Sequence, residues 1–536
     1  MSKEAIRSDD HGGFLKMKRF VFKNDQKQDI WISVIFALMM LTVLAICLFL
    51  PGIQYAKKRE TISNILLLPL GLCFVYMIYL AASNLLRRMK KQGKKWKFLI
   101  CSLSALAIQI FITYQYYFYT DWDVETIVQC AMAAVTGEDI SKHSNYFSMY
   151  PNNLVLVTLF GWIVRLTYSL GFAKHAYFAL IVFQCIICWL TGILLYMLVY
   201  NFLFSDNAAV GAWVLYQLVV GISPWVSIPY SDAVALFFPT AILAVDFLMP
   251  KEGKIGIGRL FLLAFLTYFG YRIKPQVVIV TIAICLYKVG NGVLIRRLKA
   301  IALPKIGSVC GMAAGLLCAV LLANGMADDV KVPRNEDLTF GIAHYLMMGM
   351  NPDEFGAYAQ RDVSFSWRCA TQQERTQKNL EVFWHRVNEM GPVGIFKQLV
   401  RKTLTNFNDG TFCWAGEGIF YREILEEKSP LFSPFMRSIY YSNEGRAYPV
   451  WANFAQTVWM SVMALCVCAS FGRRNEGLSV AMLSVIGLTI FEMLFEARAR
   501  YLFCYVPLFI LLAVSGLNVI CVRIGKLSGG VAEKLI

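Results

Sequence analysis

The chain has 536 residues, of which 57% are hydrophobic, 14% aromatic and only 16% charged. Soluble globular proteins average about 45–50% apolar and about 25% charged residues, so this composition excludes a disordered chain, a collagen-like repeat and an ordinary soluble enzyme. The formal net charge is +16, but the basic residues collect in short connections between apolar runs, which indicates membrane topology and argues against nucleic-acid binding.

Long apolar runs dominate the chain after a basic N-terminal tail at 1–30. Most runs are about 20 residues long, which is enough for a helix to cross a hydrocarbon core about 30 Å thick. We therefore predict an all-α, multi-pass protein of the cell membrane with about 12–13 membrane-spanning helices. The clear spans are 31–50, 62–86, 98–118, 177–201, 208–226, 232–249, 258–274, 276–290, 304–323, 451–471, 478–495 and 501–522.

Basic connections between the spans indicate the orientation. The most basic connection, Arg87–Lys97, is predicted to be cytoplasmic by the positive-inside rule. Successive connections then alternate between the two sides of the membrane in only two cases. Either the apolar stretch Leu154–Phe172 does not cross the membrane, or the long run Tyr177–Phe204 is broken into two short helices. We favour a re-entrant or interfacial position for Leu154–Phe172, which requires that protein cover it.

This topology places three segments on the outer side of the membrane. They are the amphipathic first loop Tyr119–Asn153, the short turn Pro229–Asp232 and the long stretch Asn324–Pro449. The long stretch is polar, lacks sustained alternation of period two, and has helical spacing over Glu374–Met390. We expect a mostly helical extracytoplasmic cap.

Carboxylates occur where two spans meet the outer side. Asp121, Asp123 and Glu125 lie in the segment YTDWDVETI, directly after the third span. Asp121 shares a face with Asp123 in an extended chain and with Glu125 in a helix. A functional site is one interpretation, and the general preference for acidic residues in a first helical turn is the other. Asp232 opens a later span, where it is either a functional ionisable group or an N-cap.

Cations also occur at the outer ends of spans, where the positive-inside rule does not predict them. Lys274 and Arg272 lie at the end of one span, and Arg498 and Arg500 at the end of another. One explanation is snorkelling or pairing with nearby glutamates. The other is phosphate binding, because guanidinium forks and an ammonium group suit a phosphate or diphosphate anion.

Carboxylates and phosphate-binding cations at one membrane face suit transfer of a group from a phosphorylated lipid. The leaving phosphate needs only cationic stabilisation as its charge develops. One carboxylate then serves as the base that removes the proton of the acceptor hydroxyl. Glycoside hydrolysis differs, because its leaving group requires a second, acidic carboxyl.

The order of these motifs resembles the GT-C superfamily of membrane glycosyltransferases, which includes protein O-mannosyltransferases and aminoarabinose transferases. YTDWD is similar to the acidic residues of that family's first outer loop, and YSDA at Tyr230–Ala233 is similar to its later SD or SE pair. Lys274 with Pro275 looks like its Lys-Pro, and ARARYLFCYVPLF looks like the arginine-tyrosine-proline signature of bacterial members. YFSMYPNN and HYLMMGMNPDEFGAY look like motifs of bacterial relatives that decorate envelope polymers.

The resemblance implies a division of the chain. A GT-C-like core at 98–323 contains the first outer loop at 119–153, and two additional helices precede it at 31–97. The extracytoplasmic loop domain at 324–449 and the C-terminal helices with a cytoplasmic tail at 450–536 follow.

The resemblance also implies an inverting glycosyltransferase that works at the extracytoplasmic face. Its donor would be a polyprenyl-phosphate-linked sugar, and its acceptor an envelope glycan, teichoic acid, lipid or protein. By the family's pattern we prefer Asp121 as the base with Asp123 supporting it, although Trp122 separates a pair that is adjacent in several relatives. The expected substrate-binding residues are Asp232, Lys274, Arg272, Arg498, Arg500, Tyr501, Asn152, Asn153 and His344.

The spacing DWD allows a metal site as well. Hard divalent cations such as Mg²⁺ or Mn²⁺ take carboxylate oxygens and bridge phosphates. The candidate ligands are Asp121, Asp123 and Asp232.

Two other functions fit a chain with this number of spans. A flippase for lipid-linked sugars, or a secondary transporter, would place its charges near the bilayer midplane and usually shows repeated halves. An oligosaccharide ligase or polymerase would share the transfer chemistry but move a preassembled glycan.

Overall fold

The computed structural model describes residues 27–50, 62–88, 94–251, 253–294, 306–443 and 445–527. Over these ranges the chain is helical apart from two short strands and the connecting turns. The prediction of an all-α polytopic membrane protein is therefore confirmed. The predicted tail before residue 27, the centre of the basic connection at 89–93 and the tail after residue 527 lie outside the described residues.

The first part of the chain forms ten helices and one strand within the described ranges. In chain order they are α1 (Lys27–Phe49), α2 (Asn64–Arg88), α3 (Lys94–Tyr116), β1 (Tyr119–Thr120), α4 (Trp122–Thr136), α5 (Ser144–Met149), α6 (Asn153–Ser169), α7 (Ala176–Leu203), α8 (Asp206–Tyr216), α9 (Ser231–Ala235) and α10 (Phe237–Leu248).

The second part adds ten more helices and one strand in the same described ranges. They are α11 (Gly253–Ile273), α12 (Val278–Leu294), α13 (Ile306–Asp329), α14 (Ile342–Gly349), α15 (Gln360–Trp367), α16 (Gln372–Phe407), β2 (Tyr421–Glu423), α17 (Phe432–Tyr440), α18 (Tyr448–Ala469), α19 (Glu476–Leu494) and α20 (Val506–Leu527).

Nine helical segments of the described chain are long and apolar enough to cross a membrane, and they coincide with nine of the predicted spans. The other three predicted spans are helical too. The span predicted at 208–226 is α8, which ends at Tyr216 and continues as a π-turn and a 3-10 turn up to Ser227. The spans predicted at 258–274 and 276–290 are α11 and α12.

The spans pack tightly where small residues let two backbones approach. A Cβ atom at Gly315 of α13 would lie 2.2 Å from the carbonyl oxygen of Phe261, and one at Gly311 would lie 2.9 Å from that of Ile257. Because lipid tails are as apolar as leucine, association of spans depends on such close packing. The glycines therefore hold α13 directly against α11.

Helix α6 packs against the last turn of α13. We call this end of the bundle, which carries the loop from α3 to α7, the outer end. Thr158 Oγ1 donates to the Met326 carbonyl, and Arg165 lies 3.8 Å from Asp329. Thr158 and Arg165 are seven residues apart, which is about 10 Å along α6, and yet both contact the last turn of α13. α7 then begins beside the outer end of α3. The position of 154–172 relative to the bilayer stays a prediction.

The loop domain 324–449 is mostly helical within its described residues, as expected. The helix predicted at Glu374–Met390 forms the first half of α16. Gly391 breaks the helical geometry with a φ of 56°, and Pro392 starts the second half. A positive φ of this kind is readily adopted by glycine.

Part of the loop domain lies among the spans, which differs from the expected position wholly outside them. Trp459 Nε1, on the third turn of α18, donates 2.9 Å to the Phe407 carbonyl. Gly410 packs so closely that an added Cβ would lie 2.3 Å from the Ala455 carbonyl oxygen. The C-terminal end of α16 and the turn that follows it therefore pack directly on α18.

The two strands join the first outer loop to the returning loop domain. β1 pairs with β2 in an antiparallel register, and the Asp121 backbone N–H donates 3.0 Å to the Phe420 carbonyl. This pairing fixes where α4 begins.

Candidate active site

Ionisable side chains from separate parts of the chain meet at the outer end of the bundle. They come from the start of α9, the junction of α11 and α12, the turn Trp414–Gly418, and the segment between α19 and α20. We call this group the ionic cluster. Its members are Asp232, Lys274, Glu417, Glu496, Arg498 and Arg500.

Asp232 is the carboxylate at the centre of the ionic cluster. It lies in the first turn of α9 and is only 2% exposed. Its Oδ1 atom pairs with Lys274 Nζ, and its Oδ2 atom lies 3.1 Å from Arg500 Nη1. Tyr230, and not Asp232, occupies the N-cap position of α9. Asp232 is therefore a buried counter-ion for two cations that are remote in sequence.

The local backbone explains how these cations reach the centre. Lys274 is extended (φ −154°, ψ 119°) between α11 and a 3-10 turn that starts at Pro275. Proline cannot continue the α-helix, so the chain turns there. Arg498 is likewise extended (φ −152°, ψ 122°) before the 3-10 turn Ala499–Tyr505. In both cases the side chain leaves the helix axis and points across the site.

Two glutamates complete the ionic cluster. Glu417 Oε2 lies 3.1 Å from Arg498 Nη1 and 2.8 Å from Arg500 Nε. Glu496 accepts from Arg498 Nε at 2.6 Å and from the Tyr501 hydroxyl at 3.1 Å. Burial favours the protonated form of Glu496, but the arginines outweigh it and hold its pKa below the usual value. Glu496 is therefore a carboxylate near neutral pH.

The first outer loop reaches the ionic cluster through Trp122. The Arg500 guanidinium lies 4.6 Å from the centre of the Trp122 ring and 5.3 Å from that of Tyr230. The Tyr230 hydroxyl donates 3.0 Å to Asp123 Oδ2. Burial raises the pKa of Tyr230, so its phenol keeps the proton that it donates. The early acidic loop and the late arginines therefore converge, as the sequence predicted.

The two aspartates of the first loop point to different surroundings. Asp121 is exposed and acts as the N-cap of α4, where its carboxylate accepts from the Trp122 backbone N–H. Asp123 is half-buried and faces Tyr230. The family resemblance favours Asp121 as the base, because it lies nearer the end of the span. The structure instead places Asp123 against Tyr230, because the turn at Trp122 (φ 59°) directs Asp123 inward.

The charges of the ionic cluster balance, with three carboxylates and three cations. Such paired charges hold the side chains in fixed positions. Hydrogen bonds and ion pairs of Arg500 use its Nη1 and Nε atoms, and its Nη2 atom has no hydrogen-bond partner among the described residues. Lys274 has further N–H donors beyond the one directed at Asp232.

Tyrosines border the site between the first loop and the loop domain. The rings of Tyr146 and Tyr150 are 5.3 Å apart, and the Arg498 guanidinium lies 5.4 Å from the Tyr358 ring. Burial raises the pKa of Tyr150 and Tyr345, and the nearby carboxylates add to it, so both phenols stay protonated. Within the described ranges, no hydrogen bond is made by either hydroxyl. Asn153, predicted to bind substrate, donates 2.6 Å to the Tyr146 hydroxyl.

Three other predicted residues contact different partners. Arg272 donates 2.9 Å to Asn324 on α13 and takes no part in the ionic cluster. Asn152 donates 3.1 Å to Asn153. His344 is buried in the loop domain, where its Nδ1 atom lies 2.7 Å from Ser366 Oγ. Burial lowers the pKa of His344 to about 4, so it is neutral at physiological pH.

The predicted metal ligands do not assemble into a metal site. Over the described part of the chain, no group of three or more His, Cys, Asp or Glu side chains could hold a metal ion. Asp121 caps a helix, and Asp232 is already paired with Lys274 and Arg500. The residues present therefore do not fit Mg²⁺ or Mn²⁺ bound by Asp121, Asp123 and Asp232.

A buried lysine next to the ionic cluster was missed by the sequence analysis. Lys402 of α16 donates 2.9 Å to the Gly349 carbonyl and 2.5 Å to the Phe495 carbonyl. Burial lowers the pKa of Lys402 to about 7, although Glu492 and Glu496 act against it. The lysine ties the loop domain to the segment that carries the arginines. Glu417 was missed too, because WAGEG carries no recognisable pattern.

A comparison with protein families places the chain. The family model described as conserved hypothetical integral membrane protein matches residues 20–519. The chain belongs to this family. The match extends from before α1 into α20, and the family's description as integral membrane proteins agrees with the membrane-spanning helices of this chain. No curated protein and no solved structure matches the chain.

Proposed function

We propose that the protein is a membrane transferase that moves a sugar from a polyprenyl-phosphate donor to an envelope acceptor at the extracytoplasmic face. The observation that carries the proposal is the position of Arg500, which pairs with Asp232 and stacks on Trp122 of the first outer loop. A candidate base and candidate phosphate ligands thereby meet at one end of the bundle, and we expect a lipid-borne phosphate to reach them there. The resemblance to GT-C glycosyltransferases supports the same reaction.

Asp123 is our candidate for the base. Its carboxylate is oriented by the Tyr230 hydroxyl, whereas Asp121 is engaged in capping a helix. In the reaction, Asp123 takes the proton of the acceptor hydroxyl while the acceptor oxygen bonds to the anomeric carbon. The bond from that carbon to the phosphate oxygen breaks on the opposite face, and the lipid phosphate leaves as an anion.

Lys274 and Arg500 are our candidates for binding the leaving phosphate. Both are paired with Asp232, which we expect to keep them in place during the reaction. Preorganised donors of this kind stabilise developing charge more than mobile ones. Because carboxylates already balance the cluster, we expect the phosphate to bind through the remaining N–H donors.

The acceptor is proposed to enter between the first outer loop and the loop domain. Tyr150 and Tyr345 present phenol groups near Asp123 there. Aromatic rings with hydroxyl groups suit sugar acceptors, because they offer an apolar face and a hydrogen-bonding tip. This entrance supports a glycan or another hydroxyl-bearing acceptor.

The proposal is tested by mass spectrometry of envelope glycans in a strain that lacks the gene and is complemented with variants. The wild type and D121N should restore the missing sugar, because asparagine caps a helix as well as aspartate does. D123N should lower the rate of transfer by about 10²–10⁴-fold, the usual contribution of a general base. A D123N strain with a wild-type glycan profile at equal protein level would contradict the assignment.

A transporter is the second candidate, favoured by a buried ionic group at the opposite end of α10. Asp246 is fully buried and pairs with Arg259 and with Lys288 at 3.0 Å. Ionisable groups inside membrane proteins often mark transport paths. Proteoliposomes separate the candidates: consumption of the sugar lipid without net movement favours the transferase, and movement without consumption favours the transporter.

A further inference from the structure

Helix α17 has the reverse of the polarity expected for a helix in water. Leu431, just before the helix, and Phe432 and Phe435 within it are exposed, at 72%, 43% and 56%. Ser433, in contrast, is buried and donates 3.0 Å to Gln115 at the end of α3. In a soluble protein, the apolar side chains of a surface helix face the core. An exposed apolar face next to a buried serine indicates an apolar surrounding.

The exposed face of α17 continues the lipid-facing surface of α3. The ring of Phe432 contacts that of Phe111 on α3 at 5.3 Å, edge to face. Phe111 is itself 44% exposed, and Ile108, one turn earlier, is 58% exposed. Because α3 is long and apolar enough to cross the membrane, this surface faces lipid. α17 lies at its outer end.

Polar residues lie directly before α17 and in its last turn. The segment Glu423–Lys428 that precedes the helix carries three glutamates and Lys428 in addition to two apolar residues. Lys428 lies over the Tyr117 ring at 5.9 Å. Arg437 donates 2.5 Å to the Leu425 carbonyl. A helix with one apolar and one polar side is the form that lies in the plane of a membrane interface.

We propose that α17 binds the outer leaflet of the bilayer, with Leu431, Phe432 and Phe435 inserted at the level where headgroups meet acyl chains. The occupant of this surface is phospholipid. The proposal is independent of the proposed enzymatic function, because it rests only on exposure, polarity and continuity with α3.

A lipid-bound α17 has a consequence for the candidate active site. β2 lies just before α17 in the chain and pairs with β1, which directly precedes Asp121. The bilayer would therefore hold one end of the connection that positions the first outer loop. Removal of lipid should loosen β2 and the start of α4 together.

The test uses the full-length protein in nanodiscs of phosphatidylglycerol and phosphatidylethanolamine. A photoreactive benzophenone amino acid replaces Phe435 in one sample and Trp384 in the other. Trp384 is a matched control, because it is a large aromatic residue of the loop domain that is 58% exposed. It is followed by the exposed ion pair of His385 and Glu389, which indicates contact with water.

After illumination, we expect a peptide carrying a phospholipid mass at position 435 and none above background at position 384. Equal lipid capture at both positions, or capture of a second protein chain at 435, would overturn the proposal. F435D is the second variant: it should raise hydrogen exchange over 429–441 in nanodiscs, whereas W384D should leave that segment unchanged. Unchanged exchange in F435D would also count against lipid insertion.

Discussion

Replacing Asp232 by asparagine tests whether the ionic cluster is the buried, mutually dependent unit that its contacts indicate. Asp232 is almost wholly enclosed, and it pairs with both Lys274 and Arg500. D232N keeps the shape of the side chain but removes its charge. Two cations then face each other without their shared counter-ion, at a site that water reaches poorly.

We expect D232N to lower the free energy of unfolding by a large amount for a single substitution. Removing one partner of a buried ion pair typically destabilises a protein by about 3–5 kcal/mol, because the remaining charge stays buried without compensation. Arg500 keeps its contact with Glu417 at 2.8 Å, so Lys274 is the charge left without its main partner. D232N/K274M should therefore recover more than about 1 kcal/mol of the loss, as expected for coupled neighbours.

The free energy of unfolding is measured in mixed detergent micelles by tryptophan fluorescence and checked by circular dichroism. D121N is the control, because Asp121 is exposed and asparagine preserves its capping role. Its free energy of unfolding should differ from that of the wild type by no more than about 0.5 kcal/mol. If D232N were as stable as D121N, or if K274M made D232N still less stable, the interpretation of the cluster as an ion-paired unit would be refuted.

Three further predictions concern the loop domain. Burial lowers the pKa of Lys402 to about 7 from 10.5. Between pH 7 and pH 10.5, Lys402 is therefore protonated in the unfolded chain but not in the folded one. Stability should rise with pH there by up to about 1.4 kcal/mol per unit, and pH-dependent unfolding of K402M should lack that rise. Burial lowers the pKa of His344 to about 4 from 6.5, so the free energy of unfolding should fall as the pH is lowered from 6.5 to 4. H344N should lack this loss of stability. G356A should destabilise by more than about 1 kcal/mol in thermal unfolding, because Gly356 has a φ of +76° and an added Cβ would lie 2.5 Å from the Gly349 carbonyl oxygen; G341A, with open space around it, should not.

Much of the architecture follows from local sequence. Apolar runs of the length of a bilayer become helices, because a backbone in lipid must satisfy its own hydrogen bonds. The helix at Glu374–Met390 was predictable from spacing, and Gly391 with Pro392 marks where it bends.

The composition of the ionic cluster could be predicted only in part. Charges at span ends pointed to Asp232, Lys274, Arg498 and Arg500, since ions at such positions need partners. Glu417 gave no such signal, because it lies in a turn that reaches the site only after the loop domain folds back among the spans. Periodicity describes neighbours within a few residues and carries no information on a contact of this kind.

The sequence by itself determined that this chain is a helical membrane protein with acidic and basic residues at the ends of several spans. Only the tertiary structure decided which of two neighbouring aspartates faces inward, that Arg272 leaves the group, and that Glu417 joins it. The physical reason is that lipid selects helices by length and polarity, which are local properties. The direction of a single side chain depends instead on backbone turns such as that at Trp122 and on partners hundreds of residues away.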